Sequence, residues 1–553
     1  MAEPAAPALS AGLPWRPRWS LLGLVLAWVL LALLVGLPLL ELVRTALGEG
    51  PDAVRRTLGA AGTGRAVVNT LWTSLVVTVL AVVGGTAAAL VVERSRAPGR
   101  RWLRGAMLAS LLTAPLVSAL GWARAYGEGG LLDRMVGLGW EGLYGPAGIV
   151  AVGVSGAVPL AYLVVAAGLA SRAEPDMERA ARVSGATAWQ ATRSVTLPLS
   201  RPAVGAAAAL VFVSTVNSFE APAVLGIPAG FPTMTTRLYQ NLTLSADPAA
   251  FTSAAVLAAG LVVLSLVVVG PADVLSGVRR TARTGAAAGA AGSVGRPAWG
   301  LAAVLWSFLV LAVGVPLLAL VLVALTRGVG VAPVPGNWTL DNFTAVLDDH
   351  TYSALANSVL LAGAAATLVV LLGGLTAALS RQRAGRALGT MVTMSFAVAG
   401  SALAVAVLVT YGRFLRDTLA IILVAYLAKF WALGHRPLAG AADRIPDDLV
   451  RAGRSSGGGP AVTVRTIVAP LLLPAVAGAW LLVFLFAVHE LTISSLLYGP
   501  GDETLAVVIL NRQELGDVAV TSALSVLLTL LMAAAGLLLL VVRRASVRRV
   551  EGR

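Results

Sequence analysis

The sequence predicts an all-α polytopic membrane protein with about twelve transmembrane helices, arranged as two parallel six-helix repeats. Three observations lead to this prediction: an apolar composition, a series of long apolar runs, and a set of motifs that occurs twice. Hydrophobic residues make up 58% of the 553 residues and charged residues only 12%, about half the usual share in a soluble domain. So few charges could not cover a soluble protein of this length, and a soluble enzyme is therefore excluded.

Metal and redox chemistry are not expected in this chain. It contains no Cys and only three His residues, which lie far apart in the sequence. Disulfides and thiolate metal sites are thus excluded, and no His-rich metal cage is visible. A phosphate-binding Gly-x-x-x-x-Gly-Lys-Ser/Thr motif is also absent. We therefore predict no catalytic residue, no metal ligand and no ATP hydrolysis by the chain itself.

Apolar runs of about 20 residues, the length that crosses a bilayer, predict twelve spans. Numbered in chain order, these are Ser20–Leu40, Ala66–Val92, Gly105–Ala123, Ala147–Ala170, Pro202–Phe219, Phe251–Ala272, Ala298–Leu325, Ala356–Ser380, Ala387–Tyr411, Thr418–Gly434, Leu471–Val488 and Val518–Val542.

The basic residues orient these spans. If the N-terminus is cytoplasmic, most Arg residues and every long basic cluster fall on the cytoplasmic side, which is the positive-inside pattern. We expect both termini to lie in the cytoplasm. The apolar run after Arg18 is too long for a signal-peptide core, so it is interpreted as a retained first span. The basic end of the chain is expected to contact lipid rather than nucleic acid.

A Gly/Ala-rich segment between spans 6 and 7 divides the chain into two halves and resembles a flexible linker. The predicted organisation is a cytoplasmic tail (1–19), a first half (20–274), a linker (275–297), a second half (298–542) and a basic cytoplasmic tail (543–553).

Matching motifs occur in the two halves at nearly constant spacing. Asn69-Thr70 in span 2 corresponds to Asn357-Ser358 in span 8, 288 residues later. In the segments after spans 4 and 10, a Gly and a Pro recur with an offset of 272. Because six spans return the chain to its starting side, the repeat is parallel.

The segments after spans 4 and 10 alternate helix signals with breaks. We name residues 171–201 the first coupling segment and residues 435–470 the second coupling segment. Each predicts a short helix, a Gly bend and a second helix; in the first, this second helix is Ala186–Val195, ended by Pro198. The residues that carry the pattern are Glu178, Arg179, Ala180, Ala181, Gly185 and Pro198, with counterparts Arg451, Ala452, Gly453, Gly457 and Pro470.

At these residues the chain resembles the permease subunits of ATP-binding-cassette importers. Their hallmark is Glu-Ala-Ala, three residues, Gly, and then Leu-Pro about thirteen positions later. This chain departs from it, because Arg179 and Arg451 replace the Glu, and the second coupling segment matches more loosely. The resemblance implies that the helix pairs dock on two cytoplasmic ATPase subunits, which would hold ATP and Mg²⁺, while the chain binds no cofactor. It also implies an extracytoplasmic substrate-binding protein and a bilayer, but no nucleic acid.

A finer resemblance is to fused two-half permeases of the ferric-iron type. It rests on the Ser218–Gly226 segment after span 5 and on the His489–Thr492 segment after span 11. Permeases for thiamine, polyamines and aminophosphonates share much of this layout and remain alternatives. An ion-coupled secondary transporter is the alternative from another class.

Two acids at the predicted outer ends of spans 5 and 11, Glu220 and Glu490, are candidates for the substrate path. The other interpretation is that each caps a helix break and is solvated in an outer vestibule. Lys429 is the one Lys in the chain and lies inside span 10. We interpret it as a side chain that snorkels towards the inner interface rather than one that binds substrate.

Overall fold

The computed structural model describes residues 18–48, 50–95, 97–172, 175–245, 247–277, 299–328, 331–332, 334–380 and 382–551. The predicted N-terminal tail, except for its last two residues, and most of the predicted linker lie outside these ranges. The predicted basic tail does not begin a separate segment, since the helix of span 12 continues through it to Glu551.

The first half consists of helices. They are Arg18–Leu31 and Leu37–Leu47 (span 1), Pro51–Gly59, Thr63–Arg94 (span 2), Arg100–Ser110 and Pro115–Tyr126 (span 3), Leu131–Val136, Pro146–Arg172 (span 4), Pro175–Val183, Ala188–Ala191 and Leu197–Val216 (span 5), Met234–Thr243, and Pro248–Gly277 (span 6).

The second half repeats this order. Its helices are Trp299–Leu309 and Val315–Ala324 (span 7), Asp341–Val346, Asp349–Leu379 (span 8), Arg383–Ser395 and Gly400–Leu415 (span 9), Leu419–Ala442 (span 10), Asp447–Ser455, Pro460–Thr463 and Ala469–Val488 (span 11), Ser494–Leu497, Leu505–Glu514, and Val518–Glu551 (span 12).

The predicted number of spans agrees with the structure, but two of them are not straight. Within the described residues, ten helices are long and apolar enough to cross a membrane, and two bent helix pairs bring the number to twelve. Span 3 bends by 104° and span 9 by 107°. Before each second limb, Ala114 and Ala399 leave the helical region (ψ 137° and 135°). Pro115 explains the first break, because a residue before Pro disfavours helical geometry.

Four membrane spans contain a single wider, π-helical turn that begins six residues before a Pro. The four turns are Ala32–Gly36, Thr192–Thr196, Val310–Gly314 and Val464–Val468. In each, the following residue bonds five positions back, as Leu37 N–H does to the Ala32 carbonyl. Each Pro lacks an N–H and would collide with a carbonyl in a regular helix, and the extra residue accommodates it without ending the helix.

The bent spans interlock the two halves. The second limb of span 3 packs on span 7 of the other half, and that of span 9 packs on spans 1 and 6. Tyr126 Oη donates to the Leu311 carbonyl (2.5 Å) and Tyr411 Oη donates to the Leu33 carbonyl (2.6 Å). Both acceptors lie in π-helical turns, so the two halves exchange equivalent hydrogen bonds.

The repeated Asn-Thr and Asn-Ser motifs make equivalent contacts in the two halves. Met234 N–H donates to Thr70 Oγ1 and Leu505 N–H donates to Ser358 Oγ, both at 2.8 Å. The neighbouring Asn69 amide donates to the Pro232 carbonyl at 2.8 Å. Each motif thereby fixes the start of the short helix that follows span 5 or span 11. The internal repeat inferred from sequence is thus present at the level of single hydrogen bonds.

Candidate functional site

The first coupling segment is a helix–turn–helix unit. Helix Pro175–Val183 is followed by a bend at Gly185, whose φ of +93° lies in the region that favours Gly. Ala186 N–H closes the end by bonding to the Ala181 carbonyl at 3.1 Å. The next helix starts with Thr187 as N-cap, in a reciprocal arrangement with the Gln190 side chain.

The second coupling segment has the same geometry. Helix Asp447–Ser455 is followed by a bend at Gly457, whose φ is +83°. Gly458 N–H bonds to the Gly453 carbonyl at 3.1 Å, which is the counterpart of the bond that closes the first helix. The segment begins later than the sequence predicts, because the helix of span 10 continues to Ala442 and contains Pro437.

Both coupling segments expose apolar side chains. Val183 is 91% exposed and Trp189 66% exposed in the first, while Val462 is 54% exposed in the second. Of the motif residues, Arg179 and Ala180 are exposed, as are Ala452 and Arg451, the latter pairing with Asp448 at 3.7 Å. Exposed apolar groups among charges suit docking to a protein surface.

The prediction that Pro198 ends the second coupling helix is wrong. The helix runs on without interruption from Ala188 to Val216, and the π-helical turn before Pro198 accommodates the ring. In the second half the same continuity extends from Ala461 to Val488, with Pro470 after the turn. Each coupling segment is therefore joined to the centre of the molecule by one continuous helix.

The two candidate path acids lie where these helices end. Glu220 follows the end of span 5, and its Oε2 accepts the Phe219 N–H at 3.2 Å. Its Oε1 lies 3.4 Å from Thr492 Oγ1, which belongs to the other half. Since Glu220 and Thr492 are 272 residues apart, they are repeat-equivalent positions that meet where the halves join.

Glu490 occupies the corresponding break after span 11. Its Oε1 accepts the Ile493 N–H at 3.0 Å, and its carbonyl accepts the Tyr426 hydroxyl at 3.3 Å. Both acids are half-buried and each bonds to backbone at a helix break. The structure shows both acids at helix breaks beside the junction of the halves, and their place on a substrate path stays a prediction.

The ammonium group of Lys429 lies against the bend of span 9. A Cβ atom built on Gly400 would lie 2.8 Å from Lys429 Nζ and 3.5 Å from Glu490 Oε1. The ammonium group therefore lies near the Glu490 carboxylate, at the point where span 9 bends. Gly400 has no side chain, and this leaves room for both charged groups.

Oxygen atoms dominate this central site. Tyr426 Oη and Ser494 Oγ are 2.7 Å apart, and Thr235 Oγ1 donates to the Ser218 carbonyl at 2.8 Å. In the described part of the chain, no three His, Cys, Asp or Glu side chains come close enough to hold a metal ion. The site therefore presents carboxylate and hydroxyl oxygen atoms where the two halves meet.

The architecture defines a class of protein: a two-half membrane permease with one helix–turn–helix segment in each half. Sequence comparison agrees. The family model described as "Binding-protein-dependent transport system inner membrane component" matches residues 81–275 and again residues 369–552, together more than half of the chain. The chain belongs to this family of membrane components of ATP-binding-cassette importers.

Individual relatives match to different extents. The chain is 25% identical over 532 residues to the Fe(3+)-transport system permease protein FbpB 2 of Haemophilus influenzae, covering 94% of this chain and 97% of that protein. It is 26% identical to the ferric transport system permease protein FbpB of Actinobacillus pleuropneumoniae, covering 87% and 72%. A putative 2-aminoethylphosphonate transport system permease protein of Salmonella typhimurium is 28% identical but covers 35% of this chain.

Sequence reasoning did not identify several residues that fix the first coupling segment or join the two halves. Arg94 contacts Glu178 of the first coupling segment at 3.9 Å, and Glu178 is turned inward rather than outward. Tyr126 and Tyr411 were not singled out, because their acceptors exist only where a π-helical turn frees a carbonyl. The one available signal was the recurrence of a Pro inside an apolar run.

Proposed function

We propose that this chain is the membrane subunit of an ATP-driven, binding-protein-dependent importer of ferric iron. One observation carries the substrate assignment. Relatives named for Fe³⁺ transport align with both halves in one chain, over 94% and 87% of its length. The relative named for 2-aminoethylphosphonate aligns with about a third of the chain. The family match favours this class over an ion-coupled secondary transporter.

Two separate ATPase subunits engage the two coupling segments and hold ATP and Mg²⁺, and a binding protein delivers the substrate from outside. Each half has one exposed helix–turn–helix unit, and an equivalent backbone hydrogen bond closes the first helix of each. This supports two ATPase subunits for each copy of the chain. The distribution of Arg supports a cytoplasmic position for both coupling segments and both termini, in a bacterial inner membrane.

The substrate passes between the halves beside Glu220 and Glu490. Ferric iron is a hard cation and prefers oxygen ligands, which this region offers as carboxylates and hydroxyls. Lys429 supplies a positive charge near Glu490 and offsets part of the cost of keeping carboxylates in the protein interior. In transport these groups make transient contacts with the cation and its remaining ligands.

Movement reaches this path through the continuous helices. The helix Ala188–Val216 has 29 residues, so at about 1.5 Å per residue it spans roughly 43 Å. One end lies in the first coupling segment, and the other ends four residues before Glu220. When closure of the ATPases displaces the coupling segments, both helices shift their central ends and switch the halves from inward-facing to outward-facing.

The test is uptake of radioactive iron by cells that lack the chromosomal copy of this chain and carry it on a plasmid. We expect iron uptake to depend on the chain and on the partner binding protein, while uptake of 2-aminoethylphosphonate and thiamine is unchanged. Iron uptake that is unaffected by the deletion, with loss of either other substrate, would contradict the assignment.

A further inference from the structure

The first coupling helix is tied to the membrane part of the first half by a shielded ion pair. Arg94 Nη1, at the end of span 2, lies 3.9 Å from Glu178 Oε2, and each side chain is only 12% exposed. An ion pair shielded in this way is less screened by salt than a surface pair. Removing Arg94 would take from the Glu178 carboxylate the counter-charge that this pair supplies.

Two further bonds extend this link to spans 4 and 5. Arg94 Nη2 donates to the Leu169 carbonyl at 3.2 Å, near the end of span 4. Thr196 Oγ1 donates to Glu178 Oε2 at 3.3 Å, within the π-helical turn that leads into span 5. Arg94 and Glu178 therefore join the coupling helix to spans 2, 4 and 5 at once.

A neighbouring network stiffens the same end of span 2. Glu93 pairs with Arg104 of span 3 and accepts the Tyr162 hydroxyl at 2.8 Å. Two adjacent residues, Glu93 and Arg94, thus hold the end of span 2 on two sides. A displacement of the coupling helix relative to span 2 must therefore break the contact between Arg94 and Glu178.

At the repeat-equivalent positions the second half carries different side chains. With the repeat offsets of 288 for span 2 and 272 for the coupling segment, Arg94 corresponds to Gln382 and Glu178 to Val450. Thr196 corresponds to Val468. Two Val side chains can form neither an ion pair nor a hydrogen bond. Instead, Gly453 packs against Ile467 and Thr463, since a Cβ atom there would lie 2.6 Å from Ile467 Cδ1.

We infer that Arg94 and Glu178 are a positioning pair that fixes the first coupling helix to span 2, so that a movement of this helix is passed directly to spans 2, 4 and 5. This inference rests on the proposed coupling function of these segments. The first coupling helix moves with spans 2, 4 and 5 as one unit.

The first test compares Glu178→Gln, Arg94→Gln and the exchanged pair Arg94→Glu/Glu178→Arg in the complex with its ATPase subunits. The measured quantity is the ratio of binding-protein-stimulated to basal ATPase activity, with membrane insertion checked separately. We expect each single variant to lower the ratio at least threefold. The exchanged pair should recover part of it, because the ion pair returns although the bond to Leu169 does not. Asp52→Asn, which removes an ion pair whose partners are both 83% exposed, is the matched control.

The second test does not depend on the substrate. Hydrogen exchange of the full complex, followed by mass spectrometry, reports local opening of each coupling helix. Glu178→Gln should increase exchange at least threefold in residues 177–183 and leave residues 447–455 unchanged. Equal exchange in wild type and variant, or an exchanged pair no better than either single variant, would overturn the inference. Absence of stimulation in the wild-type complex would instead contradict the proposed function, while the exchange comparison still decides the inference.

Discussion

Tyr411 donates its hydroxyl to the carbonyl of Leu33, 378 residues earlier in the chain, at 2.6 Å. This carbonyl lacks a donor within its own helix. Leu37 N–H bonds to Ala32 instead, and Pro38, the next residue, has no N–H. The Tyr hydroxyl therefore satisfies the acceptor that the π-helical turn frees. Tyr126 does the same for Leu311 in the other half.

We expect Tyr411→Phe to lower the free energy of unfolding by about 1 kcal/mol, because the Leu33 carbonyl is left without its donor. Tyr126→Phe should have a similar effect, since the bond is repeat-equivalent. Thermal unfolding in detergent measures both. The control is Tyr352→Phe, at a residue that is 54% exposed. A shift no larger than that of the control would show that these bonds do not hold the halves together.

Two glycines place spans 2 and 8 in close contact with spans 4 and 10. A Cβ atom at Gly85 would lie 2.7 Å from the Tyr162 nitrogen, and one at Gly373 would lie 2.4 Å from the Gly434 carbonyl carbon. We expect Gly373→Ala to destabilise the fold by about 1–3 kcal/mol, because backbone must shift to admit the methyl group.

The adjacent Gly374→Ala is the matched control for this prediction, since its nearest neighbour is Leu438 Cδ1 at 3.9 Å. Yield of folded protein and thermal stability in the same detergent are the measurements. Equal stability of Gly373→Ala and Gly374→Ala would contradict the close approach of the two spans.

A pH-dependent contribution is expected at the start of span 8. The Thr351 backbone N–H donates to the Asp348 carboxylate at 2.7 Å, and this bond, with the nearby Arg512, lowers the pKa of Asp348. A lowered folded-state pKa means that the stabilisation is complete above the unfolded value of about 4 and is lost as the pH falls through the folded value.

Asp348→Asn should therefore remove part of the acid sensitivity of unfolding while keeping an N-cap. The measurement is the midpoint of thermal unfolding between pH 6 and pH 3, in wild type and variant. We expect the two curves to converge at the acid end. Parallel curves over the whole range would exclude a role for the Asp348 charge.

The central acids are tested by Glu220→Gln, Glu490→Gln and the double variant. If the two acids line the proposed path, transport should fall at least fivefold in the double variant, because their charge is lost while the capping bonds can persist. Membrane insertion and ATPase binding should be unchanged. Lys429→Met should also lower transport, since Glu490 then loses its nearby positive charge. Wild-type transport rates in all these variants would favour a purely structural capping role.

The bends of the coupling segments give a further prediction. Gly185 and Gly457 both have positive φ, and a Cβ atom at either would meet no other atom within 4 Å. Replacement by Trp should thus leave the spans inserted, but strain the bend and obstruct docking of the ATPase. We expect Gly185→Trp to reduce stimulated ATPase activity more than Gly457→Trp. Full stimulation in both variants would contradict the coupling role.

Much of the fold follows from local features of the sequence. The twelve spans depend on apolar run length, and the bends at Gly185 and Gly457 depend on a residue type that tolerates positive φ. The π-helical turns, by contrast, arise because packing keeps a helix continuous through a Pro that would otherwise end it. The position of Lys429 depends on Gly400, which is distant in sequence and reaches span 10 only through the bend in span 9.

The most direct test is ATP hydrolysis by the two ATPase subunits, reconstituted in lipid with this chain. We expect ferric-loaded binding protein to stimulate hydrolysis several-fold over the same protein without iron, and Gly185→Trp to abolish this stimulation while basal hydrolysis remains. Hydrolysis that is equal with and without loaded binding protein, or stimulation that survives Gly185→Trp and Gly457→Trp together, would contradict a permease driven through these coupling segments.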